Sequence, residues 1–327
     1  MLKIGLIGAG HLGSIHAKLL PNLTNAEFIG LYDIDTDRAA EIAGLHSVQA
    51  FPSIEALLAE VDLVDIVTPT PSHHDVAMQA LQAGKDVFIE KPVTETVAQA
   101  QEIAKFARDN NRKVQVGHIE RFNKAIVALN DYNLAPRFVE SHRLAQFNPR
   151  GTDVPVVLDL MIHDIDIILS LVQSPVAKIM ANGVAVVSEH VDIANARLEF
   201  ENGCVANITS SRISQNKMRK MRMFQKDAYI AVDFLNGSAD VFRLIDENDD
   251  DASPTFMLGQ IEQGAVKRNI VFEQPQIPEG HNPLQYELQL FVDAVKEDTQ
   301  PIVDVEVAGH ALDVAQQIMD EISRNPV

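Results

Sequence analysis

Two short motifs hold the residues of this chain that are best suited to chemistry. Gly8, Gly10 and Gly13 form a G-x-G-x-x-G pattern after an apolar run, and Glu90-Lys91-Pro92 ends a later apolar run. Glycines at this spacing let the pyrophosphate of a dinucleotide approach the backbone. Proline keeps the preceding lysine out of helical geometry. Together the motifs predict redox chemistry on a hydroxyl group.

The glycine pattern predicts where the phosphates of a dinucleotide bind. We expect Gly8 to permit the tight turn, Gly10 to admit the pyrophosphate and Gly13 to let helix pack on strand. His11 and Leu12 belong to the same turn, where a helix N-terminus stabilises phosphate charge. All five are predicted cofactor-binding residues, and a purely structural glycine turn is the alternative.

Asp33 indicates which dinucleotide binds. It follows Gly13 by twenty residues, at the end of the second apolar run, and its carboxylate suits the hydroxyls of the adenosine ribose. A 2′-phosphate would meet this carboxylate, and Asp35 and Asp37 add negative charge, with Arg38 the only cation nearby in the sequence. The sequence therefore predicts NAD rather than NADP.

Further cofactor contacts are predicted where later strands end. Thr68, Pro69 and His73 follow the fourth apolar run, and Glu90 and Lys91 end the fifth. We predict that all of them contact the cofactor. For His73, an equally good alternative is a helix-start residue with no ligand.

A second polar group lies in an apolar helix predicted over Val154–Leu171. Asp159 and His163 are four residues apart, which places them on one face of a regular helix, with Asp166 on roughly the same side. A histidine titrates near neutral pH and can take the proton of a hydroxyl. A satisfied polar network and a metal site are the alternatives. We predict no metal, because neither a cysteine nor a second histidine completes a ligand set.

Composition excludes some classes of partner. The 327 residues carry a net charge of −19, which repels nucleic acid. No apolar run reaches the ~18 residues that cross a bilayer, so no membrane partner is expected. The single cysteine, Cys204, forms no intrachain disulfide and suits a reducing compartment, which predicts a cytoplasmic protein.

The order of the elements predicts an α/β fold of two domains. Strands and helices alternate through residues 1–122, which predicts a doubly wound parallel sheet in a Rossmann domain that binds NAD. Residues 123–327 contain short strand-like segments with few helices between them, which predicts an α+β domain with a mainly antiparallel sheet.

These motifs resemble those of the Gfo/Idh/MocA oxidoreductases, which include inositol and glucose–fructose oxidoreductases. The matching segments are Gly8–Gly13, Thr68-Pro69 with His73, Glu90-Lys91-Pro92 and Asp159-x-x-x-His163. The resemblance implies a Rossmann domain followed by an α/β domain with an open, mainly antiparallel sheet that binds substrate and forms a homodimer or homotetramer. It also implies that Lys91, Asp159 and His163 form the catalytic group. Whether Lys91 or His163 is the formal base stays open.

Three other segments resemble members of this family that oxidise the 3-hydroxyl of UDP-N-acetylglucosamine. They are Val116–Asn123, Met161–Asp166 and Ser211–Ser214. A sugar or nucleotide-sugar substrate is therefore implied. A dehydrogenase of a free sugar or inositol, an NAD-dependent glycosidase and a redox-silent NAD-binding sensor are the alternatives.

A cluster of cations also suits a phosphorylated substrate. It comprises Arg212, Lys217, Arg219, Lys220, Arg222 and Lys226. Arginine and lysine bind diphosphates well, but strand alternation divides the cluster between two faces, so only part of it can reach one ligand. An interface or a solvated strand is an equally good alternative. The predicted substrate-binding residues are His118, Arg121, Asn123, Arg212, Lys217 and Arg219.

Overall fold

The chain divides into two compact units. The computed structural model describes residues 1–148, 154–246, 256–263, 266–276 and 279–324. The first unit comprises Met1–Phe122 and Asn282–Asp313, and the second comprises Asn123–His281 and Val314–Val327. This division differs from the predicted domain of residues 123–327, because residues 282–313 pack with the N-terminal part of the chain.

The first unit is built on a parallel sheet of six strands in the order β3-β2-β1-β4-β5-β6. Its strands are β1 (Leu2–Ile7), β2 (Ala26–Tyr32), β3 (Gln49–Ala50), β4 (Leu63–Ile66), β5 (Asp86–Glu90) and β6 (Val114–Gly117). Its helices within residues 1–122 are α1 (His11–Leu19), α2 (Thr36–His46), α3 (Ile54–Leu58), α4 (His73–Gln82) and α5 (Val97–Asp109). The strand order confirms the predicted doubly wound Rossmann sheet, whose order reverses between β1 and β4.

The core of the first unit explains why a distant helix belongs to it. Ile4, Leu6 and Phe88 are fully buried, and they share one apolar cluster with Leu288 and Phe291. Burial of one such side chain contributes about 1.5–3 kcal/mol. Helix α8 (Pro283–Glu297) therefore packs here, although it lies far along the chain from the strands of this core.

The second unit is built on a nine-stranded sheet in the order β14-β15-β13-β12-β11-β7-β10-β9-β8. The strands are β7 (Phe138–Leu144), β8 (Val176–Val184), β9 (Ile193–Phe200), β10 (Val205–Ser211), β11 (Met218–Gln225), β12 (Ala228–Asp233), β13 (Ser238–Asp246), β14 (Phe256–Gln263) and β15 (Val266–Glu273). Each neighbouring pair is antiparallel except β7 with β10, which confirms the predicted mainly antiparallel sheet. The sequence prediction missed β14 and β15.

The helices of the second unit include one irregular element. Helix α6 (Lys124–Val127) is short, and helix α9 (Val305–Arg324) runs from the first unit into the second. Between them, a π-helical turn over Val157–Met161 leads into α7 (Ile162–Val172). In the described ranges, no helix is long and apolar enough to span a bilayer.

Candidate functional site

A cavity of about 620 Å³ opens where β1, β2 and β4 end. This edge is the point at which the strand order reverses, and open α/β sheets bind ligands there. The predicted cofactor residues that line the cavity are Gly8, Gly10, His11, Leu12, Asp33, Thr68 and Pro69. Tyr32, Ile34, Ile54, Ser72 and Val76 also line it, and the sequence prediction did not include them.

The three glycines of the loop are required for different reasons. Gly8 has a φ of +103°, and a Cβ there would lie 2.6 Å from the Val67 carbonyl oxygen. At Gly13, a Cβ would lie 2.0 Å from the Gly8 carbonyl oxygen. Gly10 differs, because a Cβ added to it would have no heavy atom of the described residues within 4 Å. The fold itself thus requires Gly8 and Gly13, whereas the open space at Gly10 fits a ligand that approaches the backbone.

The carboxylate of Asp33 lies on the cavity wall and is held by the glycine loop. Its Oδ2 accepts a hydrogen bond from the Ala9 backbone at 2.5 Å, and its Oδ1 accepts one from the Asp35 backbone at 2.9 Å. Arg38 donates to the Ala9 carbonyl at 2.9 Å and to Glu41 at 2.6 Å. The nearby cation is therefore already engaged, and the negative charge of Asp33 suits ribose hydroxyls better than a 2′-phosphate. The donor and acceptor set fits NAD.

His73 has a positioning role in the structure. It begins α4, is 1% exposed and is not part of the cavity lining. Its Nδ1 lies 2.9 Å from the Pro92 carbonyl oxygen, and its Nε2 lies 2.8 Å from that of Thr68. The side chain thus joins the turn after β4 to the segment after Lys91. This geometry supports the helix-start alternative rather than direct contact with the cofactor.

Beneath Lys91 lies a buried chain of ionisable groups. Glu90 ends β5, and its carboxylate accepts a hydrogen bond from the Lys91 backbone at 3.0 Å. The other carboxylate oxygen of Glu90 lies 3.2 Å from Nε2 of His16, whose Nδ1 lies 2.8 Å from Asp65. His16 and Asp65 are almost completely buried. We call Asp65, His16 and Glu90 the buried triad.

The charges of the buried triad follow from its contacts. Burial acts to lower the pKa of His16, but the charges and hydrogen bonds of Asp65 and Glu90 outweigh it and raise this pKa to about 10. Burial raises the pKa of the Asp65 carboxyl, although His16 opposes the rise. For Glu90, burial acts upward, but the hydrogen bond and charge of His16 bring the pKa below its usual value. Near neutral pH, His16 is therefore an imidazolium beside an ionised Glu90.

The sequence prediction missed this triad, although two signals pointed to it. His16 follows Gly13 by three residues, so both lie on the buried face of α1. Asp65 is an acidic residue inside the otherwise apolar strand β4. A polar group at a buried helix or strand position requires a partner.

Asp159 and His163 belong to the second unit, whereas Lys91 belongs to the first. Asp159 lies in the π-helical turn, and His163 is the second residue of α7. The backbone N–H of Ile162 donates to the carbonyl of Val157, five residues earlier. The helix predicted over Val154–Leu171 is therefore not regular at Asp159, and the shared face of Asp159 and His163 stays a prediction. Such π turns occur frequently at functional sites.

Two predicted substrate residues support the backbone of the second unit. Asn123 caps α6 by accepting from the Ala125 backbone at 3.1 Å, and its amide donates to the Phe234 carbonyl at 3.1 Å. Arg212 is 6% exposed and donates to the Val154 carbonyl, shortly before the π-helical turn. Both residues therefore have a structural role, whatever they do for a substrate.

The remaining predicted substrate residues differ in exposure. His118 is buried and Arg121 is half-buried, both in the first unit. Lys217, which directly precedes β11, and Arg219, its second residue, are both exposed. The other cations of β11 pair with sheet carboxylates: Lys220 lies 3.4 Å from Asp233, and Arg222 bonds to Glu140. In the ranges that the structure describes, no group of three or more His, Cys, Asp or Glu side chains could hold a metal ion.

Two family descriptions match this chain. Residues 2–118 match the Gfo/Idh/MocA description "Oxidoreductase family, NAD-binding Rossmann fold". Residues 125–231 match the C-terminal domain of the same family. The two matches together span more than half of the chain.

Individual relatives agree with these matches. The chain is 42% identical over 242 residues to a UDP-N-acetylglucosamine 3-dehydrogenase of Acidithiobacillus ferrooxidans, across 74% of this chain and 77% of that protein. A solved structure of UDP-N-acetylglucosamine 3-dehydrogenase GnnA from the same organism aligns with a TM-score of 0.87 at 34% identity, covering 98% of this chain and 97% of that chain. An inositol 2-dehydrogenase of Rhizobium meliloti is 27% identical over 230 residues, across 64% of this chain and 69% of that protein.

Proposed function

Because this chain belongs to the Gfo/Idh/MocA oxidoreductases, we propose that it uses NAD to oxidise the 3-hydroxyl of UDP-N-acetylglucosamine or of a related UDP-sugar. The observation that best supports this choice of substrate is the 42% identity to a UDP-N-acetylglucosamine 3-dehydrogenase across 74% of the chain. The inositol 2-dehydrogenases are more distant, at 27% identity for the Rhizobium meliloti protein. A free sugar or inositol is therefore the second candidate.

The proposed cofactor site is the cavity of the first unit. Asp33 would bind the adenosine ribose, and the open space above Gly10 would admit the pyrophosphate. NAD supplies the hydride acceptor when it is bound. The residues proposed to hold it are Gly8, Gly10, His11, Leu12, Gly13, Asp33, Thr68, Pro69, Glu90 and Lys91, with His73 positioning the loops.

The proposed catalytic group is Lys91, Asp159 and His163. Removing a hydride from carbon requires loss of the hydroxyl proton, and Lys91 or His163 takes that proton. Lys91 also holds the substrate oxygen and stabilises its developing negative charge. Asp159 orients the substrate hydroxyl or the lysine.

The diphosphate of the substrate requires cations that can reach it. Among the predicted substrate residues, Lys217 and Arg219 have the exposure that such a contact needs. His118 and Arg121 are proposed to contact the sugar end of the substrate. Asn123 and Arg212 are proposed to act by holding the backbone around the site, which agrees with their hydrogen bonds.

A row of aromatic rings supports the proposed homodimer or homotetramer. The rings lie on the sheet face opposite to the buried Arg143, and each belongs to a different strand: Phe138, Phe224, Tyr229, Phe242 and Phe272. Successive ring centroids are 5.7, 4.9, 5.6 and 4.9 Å apart. Phe224 is exposed and the other four rings are half-buried, and apolar patches that reach the surface mark association surfaces. The proposed location is the cytoplasm, which suits a chain with one free cysteine, Cys204.

The aromatic row can be tested by light scattering after size exclusion. We expect Phe224→Glu to dissociate the oligomer, because Phe224 is 38% exposed and has a ring neighbour on each side in the row. Leu45→Glu is the matched control, since Leu45 is 70% exposed on α2 of the first unit. An unchanged mass for Phe224→Glu would exclude this face as the interface.

The function is tested by following NADH absorbance with NAD and a panel of UDP-sugars, free sugars and inositols. We expect NADH with UDP-N-acetylglucosamine and none with free N-acetylglucosamine. Lys91→Ala should abolish this activity, whereas Lys18→Ala, on the exposed side of α1, should not change it. Activity with inositol alone would establish the second candidate. Thermal stabilisation by NAD without NADH from any compound would favour a glycosidase or a sensor.

A further inference from the structure

We propose that His16 is a positioning residue for Lys91: its imidazolium, held between the carboxylates of Asp65 and Glu90, keeps Glu90 ionised and in place, and Glu90 holds the Lys91 backbone. This inference rests on the role of Lys91 in the proposed function. It assigns a task to a buried triad that the steps of the oxidation leave unused.

The geometry connects three elements of the first unit to the lysine. Asp65 lies in β4, His16 in α1 and Glu90 at the end of β5. The contacts are 2.8 Å between Asp65 and His16, 3.2 Å between His16 and Glu90, and 3.0 Å between Glu90 and the Lys91 backbone. The ring of His16 also packs edge-on against that of Phe88, with 6.1 Å between the ring centroids. The imidazole is therefore fixed through both nitrogens and by packing of its ring.

The charge of His16 is what this arrangement requires. A buried carboxylate without a charged or hydrogen-bonding partner is strongly disfavoured, and it takes up a proton instead. The buried triad contains two carboxylates, Asp65 and Glu90, and the imidazolium between them is the charged partner of both. Without that cation, burial would raise the pKa of the Glu90 carboxyl and favour its neutral form. It would then lose both its charge-assisted hydrogen bond to the Lys91 backbone and its attraction for the lysine side chain.

The neighbouring strand leaves room for this carboxylate. Gly117 pairs with Glu90 across β6 and β5, and a Cβ at Gly117 would lie 2.9 Å from a Glu90 carboxylate oxygen. The backbone of Gly117 does not adopt a positive φ. Its lack of a side chain is therefore explained by the space that Glu90 occupies. Gly117→Ala should displace the Glu90 carboxylate without removing any ionisable group.

The charge of His16 can be observed without substrate. The full-length protein is labelled at its histidine ring nitrogens, and the His16 signals are assigned by their loss in His16→Gln. At a pH midway between 6.5 and about 10, we expect the His16 ring to be doubly protonated in NMR spectra of the wild type. Asp65→Asn should make the ring neutral at this pH. A neutral His16 ring in the wild type would overturn the proposal.

Kinetics test whether the triad acts on Lys91. We expect His16→Gln and Gly117→Ala each to lower kcat by up to about 10²-fold, the effect of a 1 Å misplacement of a reacting group. The KM for NAD should change less than kcat, because both variants leave the proposed adenosine and pyrophosphate contacts in the cavity lining untouched. His74→Gln is the matched control, since His74 lies 2.9 Å from Asp75 and 3.1 Å from Glu102, and both of these carboxylates are exposed. It should leave kcat unchanged.

Two further readouts separate the possible failures. If His16→Gln and Gly117→Ala lower only the melting temperature, and kcat per folded molecule is unchanged, the triad is structural and the proposal is wrong. If Lys91→Ala retains full activity, the proposed role of Lys91 fails first. The protonation of His16 is measured in both cases without reference to turnover.

Discussion

The two units contain buried ion clusters of different design. In the second unit, Arg143 donates to Asp164 at 2.7 and 3.2 Å, and the hydroxyl of Ser141 donates to the same carboxylate at 2.9 Å. The cation of this cluster is an arginine, which is not deprotonated in proteins. The buried triad of the first unit instead holds two carboxylates and one histidine. The second unit thus has a fixed structural pair, whereas the first has a charge that can change next to Lys91.

The largest expected effect concerns the buried pair of Arg143 and Asp164 in the second unit. Asp164→Ala leaves the buried Arg143 guanidinium without this carboxylate, which should lower the free energy of unfolding by about 3–5 kcal/mol. Urea denaturation measures the loss. Arg197→Ala is the control, because its pair with Glu199 is 40% and 38% exposed and should be worth less than about 1 kcal/mol. Equal losses of stability in Asp164→Ala and Arg197→Ala would contradict the distinction between a buried and an exposed ion pair.

The second expected effect is a pH dependence that the buried triad shows and the Arg143–Asp164 pair does not. The pKa of His16 is raised from 6.5 to about 10 in the folded state. Its contribution to stability is therefore fully present below pH 6.5 and is lost as the pH rises through about 10. We expect the stability difference between wild type and His16→Gln to shrink across this window.

The loss in free energy of unfolding caused by Asp164→Ala should stay constant over the same pH window, because Arg143 does not titrate there. Urea denaturation at several pH values measures both differences. The account of the buried triad would be contradicted if the difference in free energy of unfolding between the wild type and His16→Gln grew as the pH rose.

The smallest expected effect concerns His74, whose carboxylate partners are exposed. His74 has the same types of partner as His16, but Asp75 and Glu102 are 88% and 60% exposed. Solvent screens such pairs, so His74→Gln should change the free energy of unfolding by less than about 0.5 kcal/mol. A loss as large as that of His16→Gln would show that burial is not what distinguishes the two histidines.

Features governed by local rules were predictable from the sequence. Gly8 is needed for a positive φ, and Asp33 follows the second strand at a fixed spacing from the glycine loop, so pattern alone identified both. The alternation of strands and helices through residues 1–122 likewise predicted the parallel sheet of the first unit.

Features that depend on long-range packing were not predictable. His16 and Asp65 are 49 residues apart in the chain, and no spacing rule pairs them. Helix α8 joins the first unit only because its apolar face completes that core. The π-helical turn at Val157–Met161 departs from the 3.6-residue period on which the face of Asp159 and His163 was predicted.

The oxidation at one particular carbon is tested most directly with UDP-N-acetylglucosamine that carries deuterium at C3. With NAD, we expect the deuterium to appear on the nicotinamide ring of the reduced cofactor, and single-turnover rates to fall by a primary isotope effect. Reduced cofactor without deuterium would show that another carbon is oxidised. Full retention of deuterium in the sugar, with no reduced cofactor, would contradict a dehydrogenase acting on this substrate.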